Sequence, residues 1–180
     1  NTTYVGVADW QDLIYQNGFS QEYNISVSGG SDKGWHSFSG NFLKQEGIIK
    51  NSGFTRYSLR SNIGRYINKW LEMGMNTSFT NTDTDFSKTN SSDCGVIRSA
   101  LVFPTTYDPN KNKAETGELS WLASNPLAYI TNTKDNLSSI NVFNSSYLEV
   151  KIFPFLKFRQ NLGISYTDNK RGMYYGRETQ

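Results

Sequence analysis

The sequence predicts an all-β fold, an antiparallel up-and-down meander in which consecutive strands lie side by side. Six segments alternate apolar and polar residues with a period of two, the pattern of a strand whose two faces meet different surroundings. The connections between these segments are alternately short and long. Turn residues mark the short connections, as in the glycine-rich stretch Gly29–Gly34 and around Pro154.

The six strands are expected at residues 21–29, 35–46, 54–66, 70–82, 141–152 and 156–167. On the first, Tyr23, Ile25 and Val27 share one side, and polar residues take the other. None of the positions assigned to the apolar sides is charged, whereas the polar sides carry these charged residues: Arg56, Arg60, Glu72, Glu149, Lys151, Lys157 and Arg159. Helical signals are few, at Asp9–Tyr15, with Asp9 as its cap, and at Gly95–Val102.

One connection is far longer than the others and is expected to run as a single loop over residues 83–140. Connections in a compact domain usually have about 4–6 residues. Because successive connections of a meander lie at opposite ends, the short turns share one end of the sheet and the long loops share the other. Long alternating strands with short turns at one end only are typical of a transmembrane β-barrel, in which the long loop is extracellular.

The same alternation is compatible with a soluble antiparallel sheet that covers a core with one face, such as a carbohydrate-binding module. The two folds differ in what covers the apolar side. A soluble module must bury residues such as Leu71, Met75 and Val150 under a second layer of its own chain, together with Met73 and Leu148. A barrel leaves them facing lipid.

Composition excludes several function classes. The chain has 18 Lys and Arg and 16 Asp and Glu residues, a formal net charge of +2, so no strongly basic surface for nucleic acid is expected. Cys94 is the only cysteine and His36 the only histidine, which excludes a histidine-rich zinc site and makes a Cys/His nucleophilic pair improbable. No cofactor is expected.

The acidic residues offer no convincing metal or catalytic site. Asp83, Asp85 and Asp93 lack the glycine and terminal glutamate of an EF-hand loop. Glu72 and Glu149 have no partner base or nucleophile in the pattern, so a hydrolase domain has only isolated carboxylates in its favour. We expect no metal, no catalytic residue and no enzyme activity.

Seven segments, taken in order, cover nearly the whole chain: ADWQD (Ala8–Asp12), YNISVSGG (Tyr23–Gly30), QEGIIKNSGFTRYSLRSNI (Gln45–Ile63), INKWLEMGMNTSF (Ile67–Phe79), GVIRSALVFPTTY (Gly95–Tyr107), NPLAYI (Asn125–Ile130) and YLEVKIFPFLKFRQNLGISY (Tyr147–Tyr166). Together they resemble the barrel of SusC/RagA-like TonB-dependent outer-membrane transporters. Each segment alone is weak, and the ordered series is specific.

The resemblance implies a barrel of 22 strands, filled by an N-terminal plug and lidded by a SusD-like surface lipoprotein. Such transporters import oligosaccharides or peptides across the outer membrane of Bacteroidota, with energy passed on by TonB. Residues 1–180 would then be a fragment, about strands two to seven, in contact with outer-membrane lipid. On this resemblance the plug and its TonB-contact segment would lie outside these residues, and TonB would act through that plug.

Two groups of residues are candidates for binding. On the barrel interpretation the lumen face carries these residues, which would line the transport path or hold the plug through charge-assisted hydrogen bonds: Arg56, Arg60, Asn62, Glu72, Asn76, Glu149, Lys157 and Arg159. A solvated face with loosely paired charges is the alternative. In the long loop, Tyr107, Trp121 and Tyr129 would suit sugar rings or simply pack the loop's own small core, and Gly95–Tyr107 would rest against the lid protein.

Overall fold

The computed structural model describes residues 7–87, 95–109 and 125–176 of the chain. Its strands are β1 (Ser20–Ser31), β2 (Gly34–Glu46), β3 (Gly53–Tyr66), β4 (Leu71–Asp85), β5 (Thr133–Phe153) and β6 (Leu156–Tyr175). Its helices are α1 (Trp10–Ile14), α2 (Val96–Val102) and α3 (Pro126–Asn132). No helix among these residues is long and apolar enough to cross a membrane.

The six strands form one sheet in the order β1-β2-β3-β4-β5-β6, and each pairs antiparallel with the next. The predicted all-β meander is therefore confirmed. The sheet does not close on itself, since β1 and β6 each have only one neighbour within it.

The strands next to the long connection extend further than expected. β4 continues to Asp85, β5 begins at Thr133 and β6 continues to Tyr175, so the connection expected over residues 83–140 narrows to residues 86–132. Alternation gave no signal for the start of β5, because polar residues such as Asp135, Asn136 and Ser138 follow one another there. Backbone pairing with β6, and from Asn136 onward also with β4, forms the strand instead.

Residues directly opposite each other in an antiparallel pair lie on the same face of the sheet. The register therefore determines whether the apolar sides of neighbouring strands share one face. All six apolar sides fall on one face, which we call the apolar face. One row across it reads Ile25, Gly40, Leu59, Phe79, Val142 and Tyr166. The opposite side of the sheet, the polar face, collects the polar sides of all six strands.

Nothing in the described part of the chain forms a second layer on the apolar face. Ile25, Leu59 and Ile164 are 71%, 61% and 60% exposed, respectively. Met73, Met75 and Leu148, which a soluble module must bury, are 45%, 41% and 37% exposed. The requirement of the soluble alternative is not met.

The apolar face has the height of a membrane core. On β4 it runs from Leu71 to Asn81, about 33 Å along the strand at 3.3 Å per residue, or roughly 25 Å tall at the tilt of a barrel strand. The row beyond it is polar or charged: Gln21, Lys44, Thr55, Asp83, Ser138 and Lys170. We call this row the outer border, and the apolar face lies between it and the short turns.

The hydrophobic core of the chain lies outside the sheet. Nine residues form it: Ala8, Trp10, Ile14, Ile49, Val96, Ala100, Phe103, Tyr129 and Ile130. They come from the segment before α1, the three helices, the β2–β3 connection and the segment after α2, a unit that we call the loop lobe. Trp10 packs edge-on against Phe103 with ring centroids 5.0 Å apart, and its indole N–H donates to the carbonyl of Pro104 at 3.1 Å.

Two of the three helices were expected. The Asp9 carboxylate accepts hydrogen bonds from the backbone N–H of Gln11 (3.0 Å) and Asp12 (3.1 Å), the predicted cap of α1. α2 begins one residue after the expected start, Gly95. α3 lies inside the segment that was expected to be a loop.

Beyond the outer border, β5 and β6 continue as a paired extension whose side chains include one ion pair. The Arg171 guanidinium donates from Nε and Nη2 to the two carboxylate oxygens of Asp135, at 2.8 and 2.7 Å. The hydrogen bond from Arg171 lowers the pKa of Asp135 below its ordinary value; burial opposes this shift and the charge of Arg171 adds to it. Arg171 also stands over the ring of Phe86, 5.4 Å from its centroid.

Candidate functional site

The eight residues expected in the lumen share the polar face. Arg56, Arg60 and Asn62 come from β3, Glu72 and Asn76 from β4, Glu149 from β5, and Lys157 and Arg159 from β6. The register places Asn62 opposite Asn76, Glu72 opposite Glu149, and Glu149 opposite Arg159. One concave side of a barrel wall would thus carry all of them.

A polar network lies near the end of this face where the connections are long. The amide of Asn41 donates to Glu22 at 2.7 Å and to Asn24 at 2.6 Å, and its oxygen accepts from Nη2 of Arg56 at 3.2 Å. Nε of Arg56 is buried without a hydrogen-bond partner in the described part of the chain. The guanidinium of Arg56 therefore uses only some of its hydrogen-bond donors within the sheet.

A second network, which we call the charge cluster, lies near the short turns. Glu149 stands between two cations, with Lys157 Nζ at 3.6 Å and Arg159 Nη1 at 3.7 Å. The Arg159 guanidinium lies over the ring of Tyr147, 4.0 Å from its centroid, and the Tyr147 hydroxyl donates to Glu72 at 2.8 Å. Four of the predicted residues therefore meet through Tyr147, which the sequence analysis did not single out.

Two glycines make room for the aromatic residues of this face. Gly64 pairs with Gly74 across β3 and β4, in a row that continues to Trp35 on one side and Tyr147 on the other. A Cβ on Gly64 would lie 2.5 Å from the indole of Trp35, and one on Gly74 would meet the ring of Tyr147. The rings of Trp35 and Tyr147 therefore occupy the space above the two glycines on the polar face.

The middle of the polar face is more open. Among the described residues, the exposed side chain of Arg60 makes no hydrogen bond or ion pair, and its cross-strand neighbours are Ser39 and Ser78. These residues line a groove of about 470 Å³ together with Arg56 and further residues, most of which are polar. The groove offers cations and hydroxyls to whatever faces the wall.

The three aromatic candidates of the long connection have different placements. Tyr129 is 3% exposed and belongs to the loop-lobe core, so its ring presents no free face to a sugar. Tyr107 packs against that core, with its ring 5.5 Å from Phe103. Trp121 lies outside the described residues. Both tyrosines therefore pack within or against the lobe's own core.

No metal centre appears in residues 7–87, 95–109 and 125–176, where no group of three or more His, Cys, Asp or Glu residues could hold an ion. Asp93 and Cys94 lie outside these residues. The polar face of the described strands offers hydrogen bonds and charges.

Comparison with known proteins finds relatives along almost the whole chain. TonB-dependent receptor P3 of Formosa agariphila is 28% identical over 173 residues, which are 92% of this chain and 17% of the receptor. TonB-dependent receptor P39 of the same organism is 28% identical over 180 residues, 96% of this chain and 16% of the receptor. SusC of Bacteroides thetaiotaomicron is 26% identical over 90 residues, 49% of this chain and 9% of SusC.

Solved structures share the fold. A chain of the RagAB peptide transporter superposes with a TM-score of 0.73 at 21% identity, covering 93% of this chain and 20% of that one. The RagAB peptide importer in its closed-closed state gives a TM-score of 0.76 at 20% identity, covering 99% and 22%. The resemblance to SusC/RagA-like TonB-dependent receptors is confirmed. No protein-family model matches the chain.

The chain spans about a sixth of the length of the receptors P3 and P39. TonB-dependent receptors are outer-membrane β-barrel proteins, and the fold of this chain resembles a stretch of their barrel wall. Such receptors are not enzymes, in agreement with the expectation of no catalytic activity.

Proposed function

We propose that the chain forms part of the barrel wall of a TonB-dependent importer that carries oligosaccharides or peptides across the outer membrane. The uncovered apolar face carries this proposal. A sheet whose apolar face has no protein layer over it, whose polar face is continuous and whose short turns share one end suits a wall between lipid and a lumen.

The two polar networks suggest different tasks for the wall. The charge cluster is self-paired through Glu149 and Tyr147, which suits a fixed contact such as the one a plug would make. Arg60 keeps its exposed donors unpaired in the groove beside Arg56, which suits passing carboxylates or hydroxyls. On this proposal plug residues meet the charge cluster, and substrate meets the groove.

The substrate assignment stays at the level of oligosaccharide or peptide. RagAB is described as a peptide transporter, which supports the peptide half of the proposal at about 20% identity. Growth of the host strain on peptide or on glycan as the limiting nutrient, with and without the gene, would decide between them. Equal growth of both strains on every nutrient would contradict import.

We also propose a SusD-like surface lipoprotein as lid and TonB as energy source, the latter acting through a plug. The exposed apolar side chains of α2, Leu101 (65%) and Val102 (51%), offer the lid a contact within Gly95–Tyr107. The variant Leu101→Glu/Val102→Glu should reduce co-purification of the lipoprotein. Phe155→Glu, at an 87% exposed site on the opposite end of the wall, is the matched control and should retain it.

Membrane location is tested most directly by fractionation of the complete receptor. We expect it in the outer-membrane fraction, with electrophoretic mobility in dodecyl sulfate that changes on boiling, as closed barrels resist the unheated detergent. Recovery in the soluble fraction, or a mobility that boiling leaves unchanged, would overturn the barrel proposal.

A further inference from the structure

The short-turn end of the apolar face carries a cluster of cations that the proposed transport role does not use. Lys33 lies in the β1–β2 turn, Lys69 in the β3–β4 turn, and Arg65 on the last outward-facing position of β3. The three side chains and Asp32 line one open depression of about 940 Å³, together with Ile67 and Met73. Its net charge is +2.

Arg65 is an unusual residue for this face. In the described strands, the apolar face between the outer border and the short turns carries two charged side chains, Arg65 and Asp168. Asp168 lies near the outer border, and Arg65 lies at the opposite end, beside the short turns. Asp168 is paired with Lys170 at 3.5 Å, whereas Arg65 has no ion-pair partner among the described residues. An unpaired guanidinium at the edge of an apolar band favours an external anion.

The backbone holds the two turns together and so fixes the cluster. The N–H of Tyr66 donates to the carbonyl of Lys33 at 3.0 Å, which joins the two turns. Gly34 permits this approach, since a Cβ there would meet the carbonyl oxygen of Gly64 and lie 3.0 Å from Cα of Arg65. In the second turn, the Asn68 side chain accepts from the N–H groups of Trp70 (3.0 Å) and Leu71 (2.8 Å).

Apolar side chains surround the cations on the membrane side. Met73 pairs directly with Arg65 across β3 and β4 and is 45% exposed, and Ile67 and Trp70 are 49% and 53% exposed. A ligand that fits here has an anionic group at the level of the turns and an apolar part that continues along the band. A phospholipid has both the anionic group and the apolar part, whereas a free anion has only the charge.

We propose that Lys33, Arg65 and Lys69 form a binding site for the headgroup phosphate of a phospholipid in the inner leaflet of the outer membrane, with its acyl chain against Met73. This inference rests on the proposed barrel, whose short turns face the periplasm. The net charge of the depression gives the site a preference for anionic headgroups over zwitterionic ones.

The test uses the complete receptor in nanodiscs that contain phosphatidylglycerol and phosphatidylethanolamine, with the lipid retained by the protein quantified by native mass spectrometry. Neutralising the site by Lys33→Gln/Arg65→Gln/Lys69→Gln should lower the preference for phosphatidylglycerol by at least about tenfold, since each cation near a membrane surface contributes measurably to anionic-lipid binding. The control Lys44→Gln/Lys134→Gln/Lys170→Gln removes the same charge at the opposite end and should keep the preference.

Three results would overturn the inference: an unchanged preference in the neutralised receptor, an equal loss in the control, or loss of the preference in the native receptor when inorganic phosphate alone is added. If the triple variant does not assemble, Lys69→Gln in the exposed turn should still lower the preference by about threefold. Failure of the barrel proposal looks different, because the native receptor would then leave the outer-membrane fraction and retain no lipid.

Discussion

Gly64 on β3 lies directly opposite Gly74 on β4, and each is covered by an aromatic ring from the next strand outward, Trp35 and Tyr147. The absence of both Cβ atoms lets the rings lie flat on the backbone. Tyr147 can then reach Glu72 with its hydroxyl and support Arg159 with its ring. Gly74 therefore positions the charge cluster through Tyr147, and Gly64 makes the same room for Trp35.

Replacement of Gly74 by alanine should push Tyr147 off the sheet. We expect a loss of about 1–3 kcal/mol in the free energy of unfolding, the usual cost of overpacking. The temperature at which the complete receptor loses its unboiled electrophoretic mobility would measure it. Gly172→Ala is the matched control, since a Cβ there has nothing within 4 Å and should cost far less. Equal effects of the two variants would contradict the role of Gly74.

A charge on the apolar face should be far more costly than the same charge one residue away. Ile164→Arg places a guanidinium in the lipid-facing band, at a cost of about 2–4 kcal/mol near the bilayer centre. Ser165→Arg places it on the polar face, where water and polar groups surround it. We expect the first variant to assemble poorly in the outer membrane and the second to assemble normally, as measured by the heat-modifiable fraction. Similar yields would show that the apolar face does not meet lipid.

The loop lobe should be separable from the wall in stability. Trp10→Ala removes a side chain that is 2% exposed, and truncation of a buried tryptophan costs about 3–5 kcal/mol. We expect faster cleavage of the lobe by added protease on intact cells while the barrel keeps its mobility. Val7→Ala, at an 80% exposed site, should leave the cleavage rate unchanged. Loss of the barrel itself in the Trp10 variant would contradict this separation.

The extension of β5 and β6 should loosen only in acid. Because the folded-state pKa of Asp135 is lowered from its ordinary value of 3.8, the pair with Arg171 contributes its full stability above that value and loses it as the pH falls through the lowered pKa. Hydrogen exchange of residues 133–139, corrected for the intrinsic rate, should therefore be constant from pH 7 to 5 and increase in stronger acid. Asp135→Asn should remove this dependence.

A partner variant checks that the pair itself is responsible. Arg171→Gln should open the extension at neutral pH as Asp135→Asn does, and the double variant should be no worse than either single one, because the same contact is lost in all three. Additive effects would assign the stability to other contacts of the extension.

The sequence was sufficient for the sheet wherever one face needed to be apolar. Alternation at Tyr23, Leu59 and Met73 marks a lipid-facing side, and strand order follows from the short turns. It was insufficient for the first residues of β5, which are mostly polar and are defined as a strand by backbone pairing with β6 and, from Asn136 onward, with β4. α3 did carry a signal: Asn125 followed by Pro126 is a helix start, and the Asn125 side chain accepts from the N–H of Leu127 at 3.0 Å.

For the site, membership of the polar face was predictable, but contacts within it were not. Period-two spacing assigns Glu149 to the polar side of β5 and Arg159 to the polar side of β6, so a shared face could be predicted from each strand separately. Whether they meet depends on the register between strands, which the turn after Phe153 and the cross-strand packing set. The part played by Tyr147 depends on the space above Gly74, on another strand, and single-strand patterns do not contain that information.

The core of the loop lobe draws on three stretches of chain: one before β1, one between β2 and β3, and one between β4 and β5. These stretches lie next to one another in a sheet whose intervening strands stand side by side. Protection of this small interior from protease should therefore report that the strands have paired in the right order.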